Sequence, residues 1–374
     1  MQEERVLIVG GGMAGLSLAN ALSQRGLSAE VVERADGPDS RGAGQYLVGL
    51  ATRALGALGV ADAARELGQV IRTQTFLDSG GAPLAEIDVE SYWAGCGFCL
   101  GIEHARLHRL LLERVPAGAV RFGVSVQALH QENDRVLVNF TDGTEGSYSL
   151  VIGADGIRSV VRSLALGGAE PRFRGQVGWR FLAPCPPEIV GWTVFLGRSG
   201  AFLLVPIGGG RAYCYADQMV AQADADPVEG RVERLRELFS EYPSPVPEVL
   251  AGLDPSEQIH RAAIEEVVLD AWGRGRVLLI GDAAHAMSPN MACGCAMALE
   301  DGLVLADQIE HTGIHVGIAA AFHHRRAPRV DWLRKQTNQR DRVRSLPPAI
   351  RNALLRRLAE RTYRANYQPL LAIP

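Results

Sequence analysis

The strongest constraint on this chain lies near its start. Residues 5 to 9, "RVLIV", form an apolar run that reads as a buried parallel strand. "GGGMAG" follows, a G-x-G-x-x-G with its glycines at Gly10, Gly12 and Gly15. "LSLANALSQRG" continues with helical spacing and stops at Gly26, a position suited to a helix C-cap. "SAEVVER" is the next strand, with Glu33 at its end. Strand, glycine turn, helix, strand and acid stand in the order of a dinucleotide-binding unit. Gly10 allows the tight turn, Gly12 lets backbone approach a pyrophosphate, and Gly15 lets helix pack on strand. The pyrophosphate is expected at the helix N-terminus, where free N–H groups point at it. Glu33 suits a ribose diol and repels a 2′-phosphate, which favours FAD or NAD over NADP.

With 374 residues, the chain has room for two domains or one elaborated domain. A net charge of -4 argues against nucleic acid as a partner. No apolar run reaches the length of a membrane span, and the six cysteines show no disulfide-framework spacing. Both features fit a protein of the reducing cytoplasm.

Two further segments carry motifs. "SLVIGADGIRSVVR" (149–162) is an apolar strand, then a turn at Asp155-Gly156, then Arg158, Ser159 and Arg162 on a helix. Alone it reads as a strand-to-helix connection with Asp155 as cap. "LLIGDAAHAMSPNMACGCAMALED" runs from an apolar strand through Gly281-Asp282 and Pro289 into an acidic helix. Residues 119 to 151 alternate apolar and polar, with turns at Asn133-Asp134 and Asp142-Gly143, and suggest a β-meander.

The glycine fingerprint, the DG segment and the GD segment occur in the order and spacing of the group A FAD-dependent aromatic hydroxylases. The chain resembles that family, which includes para-hydroxybenzoate, salicylate and urate hydroxylases, over nearly its whole length. The fold this implies is α/β: a Rossmann-like FAD-binding domain of the para-hydroxybenzoate hydroxylase type, an antiparallel β-sheet substrate domain and C-terminal helices. The FAD domain is expected to be discontinuous, at 1–72, 98–165 and 273–310. Residues 73–97 and 166–272 form the substrate domain, and 311–374 the helical region.

The resemblance also implies site residues. Asp282 inherits contact with the ribityl chain of FAD, and Gly281 lets backbone come close. Pro289 lies beside the isoalloxazine ring, and N–H groups around Gly294 face its pyrimidine edge. Gly10, Gly12, Ala14, Gly15, Glu33, Arg34 and Asp155 belong to the cofactor site. Arg106 matches an arginine reaching the ribityl and phosphate region, Arg41 another FAD contact, and Val126 the backbone that meets adenine. Gln45 and Tyr46 fall near the flavin edge. Trp179, Phe202, Tyr213 and Tyr215 are pocket candidates or plain core, and Arg180 pairs with a substrate carboxylate or is solvated. The family pattern P-x-x-G-Q-G is altered here, with Ala292, Cys293 and Ala296 in place of Gly, Gln and Asn. Backbone contacts survive such changes and side-chain contacts do not. Cys293 and Cys295 are inert small residues or place a thiol near the ring. His285 packs or caps.

Cys96 and Cys99 form a C-x-x-C without a second pair at zinc spacing, so no metal is expected. The Arg-rich tail from 325 to 364 is a solvated helix face or a cationic face for nucleotide phosphates. The activity implied is a monooxygenase in which NAD(P)H reduces the flavin. O₂ then gives a C4a-hydroperoxyflavin, which hydroxylates or epoxidises an electron-rich aromatic or polyketide-like small molecule. The flavin carries the chemistry, so no catalytic side chain is assigned. A monomer or homodimer is expected. The alternatives are an FAD-binding cyclase or scaffold, or another flavin oxidoreductase without oxygen insertion.

Overall fold

Val6–Val9 is fully buried and lies inside a six-stranded sheet, as a continuous apolar run requires. In the computed structural model, which describes residues 4–38, 43–198, 200–254 and 259–374, the sheet order is Gly273–Arg274, Val277–Leu279, Leu150–Gly153, Val6–Val9, Ala29–Glu33 and Val120–Phe122. All neighbours are parallel except the edge hairpin formed by the first two. The three motif strands therefore lie side by side, and the turns that follow them converge at one end. That is where an open α/β sheet binds its ligand.

Helix Met13–Ser23 packs across helix Gly294–Thr312. A Cβ on Gly302 would meet the Leu18 nitrogen at 2.6 Å, and Ser17 Oγ donates to the Leu299 carbonyl at 2.9 Å. The crossing is thus backbone on backbone. Strands Val126–Gln131, Val136–Phe140 and Glu145–Tyr148 form an antiparallel meander. Val120–Phe122 leaves that run and joins the main sheet beside Ala29–Glu33.

A second sheet roofs the first unit. Its order is His260–Glu266, Arg172–Pro184, Arg211–Met219, Gly200–Pro206, Trp192–Leu196, Thr73–Asp78 and Pro83–Asp88. All pairings are antiparallel except Trp192–Leu196 with Thr73–Asp78. One face packs a core that includes Phe181, Phe202, Leu204 and Cys214 against Leu235, Phe239 and Leu250 of the connecting helices. The other face looks into a cavity. A small sheet of Gly44–Leu47, Cys99–Glu103 and Gln69–Ile71 joins the two units.

The Arg-rich tail forms helices Ile318–Arg344 and Pro348–Tyr367. Neither expectation for it describes Arg326 or Arg351, which are buried. Arg326 pairs with Glu300 and Asp301, and Arg351 donates to the Leu196 and Gly197 carbonyls. No helix among the described residues is long and apolar enough to cross a membrane.

Candidate active site

The glycine turn is built tightly on two sides and open on the third. Gly10 has φ +112°, and a Cβ there would lie 2.4 Å from the Ala154 carbonyl oxygen. A Cβ on Gly15 would lie 2.0 Å from the Gly10 oxygen. A Cβ on Gly12 would meet nothing within 4 Å. Gly12 is also the N-cap of helix Met13–Ser23, without a side-chain cap. The space over Gly12 and the free N–H groups of that helix fit a pyrophosphate. Glu33 is fixed beside the turn, with Oε2 accepting from the Gly11 N–H at 2.7 Å and Oε1 from the Ala35 N–H at 2.9 Å. Arg34 is exposed next to it, and Val126 is buried at the start of its strand.

His108, which sequence reasoning passed over, holds the same turn. Its Nε2 lies 2.7 Å from the Gly11 oxygen. A carbonyl only accepts, so Nε2 carries the hydrogen.

The DG segment braces the turn from behind. Asp155 accepts from Ser159 Oγ at 2.5 Å and from the Val160 and Val161 N–H groups. Its carboxylate is a helix cap, and its backbone lies against Gly10. Burial raises its pKa, against the lowering by those hydrogen bonds. Buried Arg162 donates to the Ala283 carbonyl at 3.0 Å and so joins the DG segment to the GD segment.

Gly281 has φ +59°, and a Cβ there would come within 2.9 Å of the Ala14 Cβ. The GD corner therefore touches the start of the glycine-turn helix. Its N–H donates to Asp301 Oδ2 at 2.8 Å, which also lies 2.7 Å from His285 Nε2. Arg326 Nε donates to Asp301 Oδ1 at 2.7 Å. Burial opposes ionisation of Asp301, but His285, Arg326 and the Gly281 N–H outweigh it and hold the carboxyl below its ordinary value. His285 is thus a buried partner of Asp301, packed on Trp272 with ring centroids 4.8 Å apart. Asp282, next in the chain, is exposed and opens onto the cavity. The surrounding protein raises its pKa, opposed by His285 and Arg180 and reinforced by Asp301.

Beyond Pro289 the chain turns through Ala292 into helix Gly294–Thr312. Gly294 opens onto the cavity, and the helix has no side-chain N-cap. Its free N–H groups favour negative charge there. Ala292 has φ +49°, the one positive φ at a non-glycine residue among those described. We expect Ala292→Gly to raise stability by up to about 1 kcal/mol by relieving the left-handed conformation, as checked by urea unfolding. Cys293 is buried. Cys295 lines the cavity, and burial, reinforced by Asp282, pushes its thiol up to about 12. It stays protonated at neutral pH. Cys99 is also pushed up to about 12 by burial, and no group of residues among those described is arranged to hold a metal.

The cavity between the GD corner and the roof sheet has a volume of about 1400 Å³. Gln45, Tyr46, Arg180, Tyr213, Tyr215, Asp282, Pro289 and Gly294 all line it. Tyr46 accepts from Gln74 Nε2 at 2.9 Å, and the Arg180 guanidinium stands 5.3 Å from the centre of the Tyr215 ring.

Three expected residues fall elsewhere. Trp179 and Phe202 belong to the core on the opposite, helix-covered face of the roof sheet. Side chains alternate along a strand, so Arg180 and Leu203 face the cavity and their neighbours do not. Arg106 is half exposed, paired with Glu103 at 3.2 Å and donating to the Leu67 carbonyl. His104 lines the cavity from the start of that helix, two residues earlier and on the far side of the turn. Arg41 lies outside the described residues.

Comparison with known proteins bears on this geometry. The model of the FAD binding domain family matches residues 3–330. The chain is 32% identical to a 3-amino-4-hydroxybenzoate 2-monooxygenase of Streptomyces platensis, over 94% of this chain and 91% of the relative. It is 33% identical to 2-heptyl-3-hydroxy-4(1H)-quinolone synthase of Pseudomonas aeruginosa, over 89% and 87%. The structure of Klebsiella pneumoniae HpxO complexed with FAD and uric acid superposes with a TM-score of 0.85 at 26% identity, covering 99% of this chain and 93% of that one. The chain belongs to the FAD binding domain family and is a flavin-dependent monooxygenase, with FAD as cofactor and a small molecule and O₂ as substrates.

Proposed function

We propose that the enzyme uses NAD(P)H and O₂ to hydroxylate or epoxidise an electron-rich aromatic or polyketide-like molecule in the cavity beneath the roof sheet. The observation that carries this reading is the close approach of Gly281 to Ala14, which sets the open Gly12 turn beside the GD corner, whose Asp282 lines the cavity together with Gly294. In this reading the N–H groups at Gly12 and Ala14 hold the pyrophosphate. Glu33 accepts from the ribose hydroxyls, and Asp282 accepts from the ribityl chain. Pro289 and the Gly294 helix terminus flank the ring, and that terminus favours negative charge on it. Bound FAD supplies the electron transfer and the oxygen activation. The chain supplies orientation and the cavity that receives the substrate.

The relatives are named for an aminohydroxybenzoate and an alkylquinolone, which favours a small electron-rich ring and oxygen insertion over a scaffold role. No second G-x-G-x-x-G follows a strand, so the nicotinamide donor visits without a Rossmann domain of its own. We place the enzyme in the cytoplasm as a monomer or homodimer.

The test is the visible spectrum of FAD-loaded protein under anaerobic NADH or NADPH. Bleaching that reverses with O₂ supports the reading. A flavin that stays oxidised with both donors, across a panel of phenols and quinolones, sinks it. Asp282→Ala is expected to weaken FAD binding about tenfold to a hundredfold, the loss of one or two charge-assisted hydrogen bonds. The checks are calorimetry for affinity and a melting curve close to that of wild type.

A further inference from the structure

One cross-strand row of the roof sheet carries a gradient. Arg180 pairs with Tyr215, Tyr215 with Leu203, Leu203 with Val194, and Val194 with Phe76. All five line the cavity. The row passes from a guanidinium through a phenol to two aliphatic side chains and a benzyl ring. From Tyr215 to Phe76 is three strand spacings, roughly 14 Å.

The next row repeats the pattern. Asp217 pairs with Ala201 and Ala201 with Leu196, and all three line the cavity. The apolar end is walled opposite by helix Pro348–Tyr367, whose Leu354, Leu355 and Leu358 also line the cavity. Leu355 packs against the Val194, Leu196 and Ala201 cluster. Leu354 and Leu358 remain 36% and 42% exposed, one helical turn apart, so the wall is apolar but not closed.

The polar end has unmet demand. The Tyr215 hydroxyl and Asp217 Oδ2 are buried and have no hydrogen-bond partner among the described residues. Asp217 uses its other oxygen for Arg344 and the Ala201 N–H. A buried carboxylate oxygen without a donor is costly and points to one supplied by the ligand. In the flavin reading the ring takes the part of this cavity of about 1400 Å³ that Asp282, Pro289 and Gly294 line, and the substrate takes the rest. A compact ring beside Asp282 leaves the Leu203–Phe76 end wet against apolar walls.

We propose that the substrate is amphipathic, with a compact aromatic head bearing an N–H or O–H set at Tyr215 and Asp217, and a flexible hydrocarbon arm laid along Leu203, Val194 and Phe76. This rests on the flavin reading above and names the substrate class of that site.

The test is calorimetric titration of the FAD-loaded protein with 4-alkylphenols from methyl to octyl. Flavin content and reversible bleaching by NAD(P)H are read first on the same sample. Failure there is failure of the oxygenase reading alone. The expected result is a Kd that tightens about threefold per added methylene until the arm is filled. Leu203→Asn and the partly exposed Leu358→Asn are each expected to weaken the octyl compound about tenfold and to flatten the dependence on chain length. A Kd indifferent to chain length in protein with working flavin overturns the proposal. So does a length dependence that both variants retain in full.

Discussion

Gly12→Val is expected to give a stably folded protein that no longer retains FAD, whereas Gly15→Val is expected to destabilise the fold itself. Any Cβ on Gly15 lies 2.0 Å from the Gly10 carbonyl oxygen, so helix and turn must part. Overpacking at such a contact costs about 1–3 kcal/mol or more, and a branched side chain sits at the upper end. Around Gly12 the protein leaves room for a side chain. Valine fills the space that we propose for the pyrophosphate and masks two or more N–H donors. Charge-assisted hydrogen bonds contribute about 1.5–3 kcal/mol each, so affinity should fall by roughly a hundredfold to a thousandfold or more. Flavin content after purification, calorimetry with added FAD and melting curves separate the two outcomes. A Gly12→Val protein that keeps its yellow colour contradicts the placement of the pyrophosphate.

Arg326→Met is expected to destabilise the protein by about 3 kcal/mol at pH 7 and to weaken FAD binding at a distance. The substitution leaves Asp301 buried with a cation removed, a change that costs several kcal/mol in comparable settings. Glu300 keeps Arg53 and Arg329, which limits the loss. The effect depends on pH with a definite sign. Burial opposes charge on Asp301, but its partners hold its folded pKa below the unfolded value near 3.9. Its ionised form therefore stabilises the fold fully above that value. The contribution disappears as pH falls through the lower, folded pKa. The difference between wild type and Arg326→Met should shrink toward acid, and the variant should unfold at higher pH. Urea titrations at pH 7 and near pH 3.5 measure this. Because Asp301 also accepts from the Gly281 N–H, loosening it frees the GD corner.

The parts legible in the sequence are those encoded within one turn or one strand. The glycine turn, Glu33 and the GD corner each combine a few residues close in the chain, and local pattern suffices to place them. The roof sheet defeated that reasoning for a specific reason. Both of its faces carry apolar side chains, one against Phe239 and Leu250 and one toward the cavity. Alternation alone cannot then say which face Trp179 or Phe202 occupies. Arg106 failed on helical phase, since two positions along a helix point to nearly opposite sides. The paired arginines of the tail were invisible because their partners are distant in the chain, such as Asp217 for Arg344 and Gly197 for Arg351.

The two sheets are also interleaved along the chain. The strand Thr73–Asp78 pairs with Trp192–Leu196, while Leu150–Gly153, which lies between them in sequence, belongs to the other sheet and waits there for Val277–Leu279. Neither sheet is encoded by a contiguous stretch. During synthesis the nascent chain cannot finish one unit before starting the next, and long-range parallel pairing of this kind is slow. Recombination between relatives meets the same limit. A chimera that exchanges the roof to alter substrate range needs two inserts, one carrying strands Thr73–Asp78 and Pro83–Asp88 and one carrying the strands within 172–266, taken from the same parent.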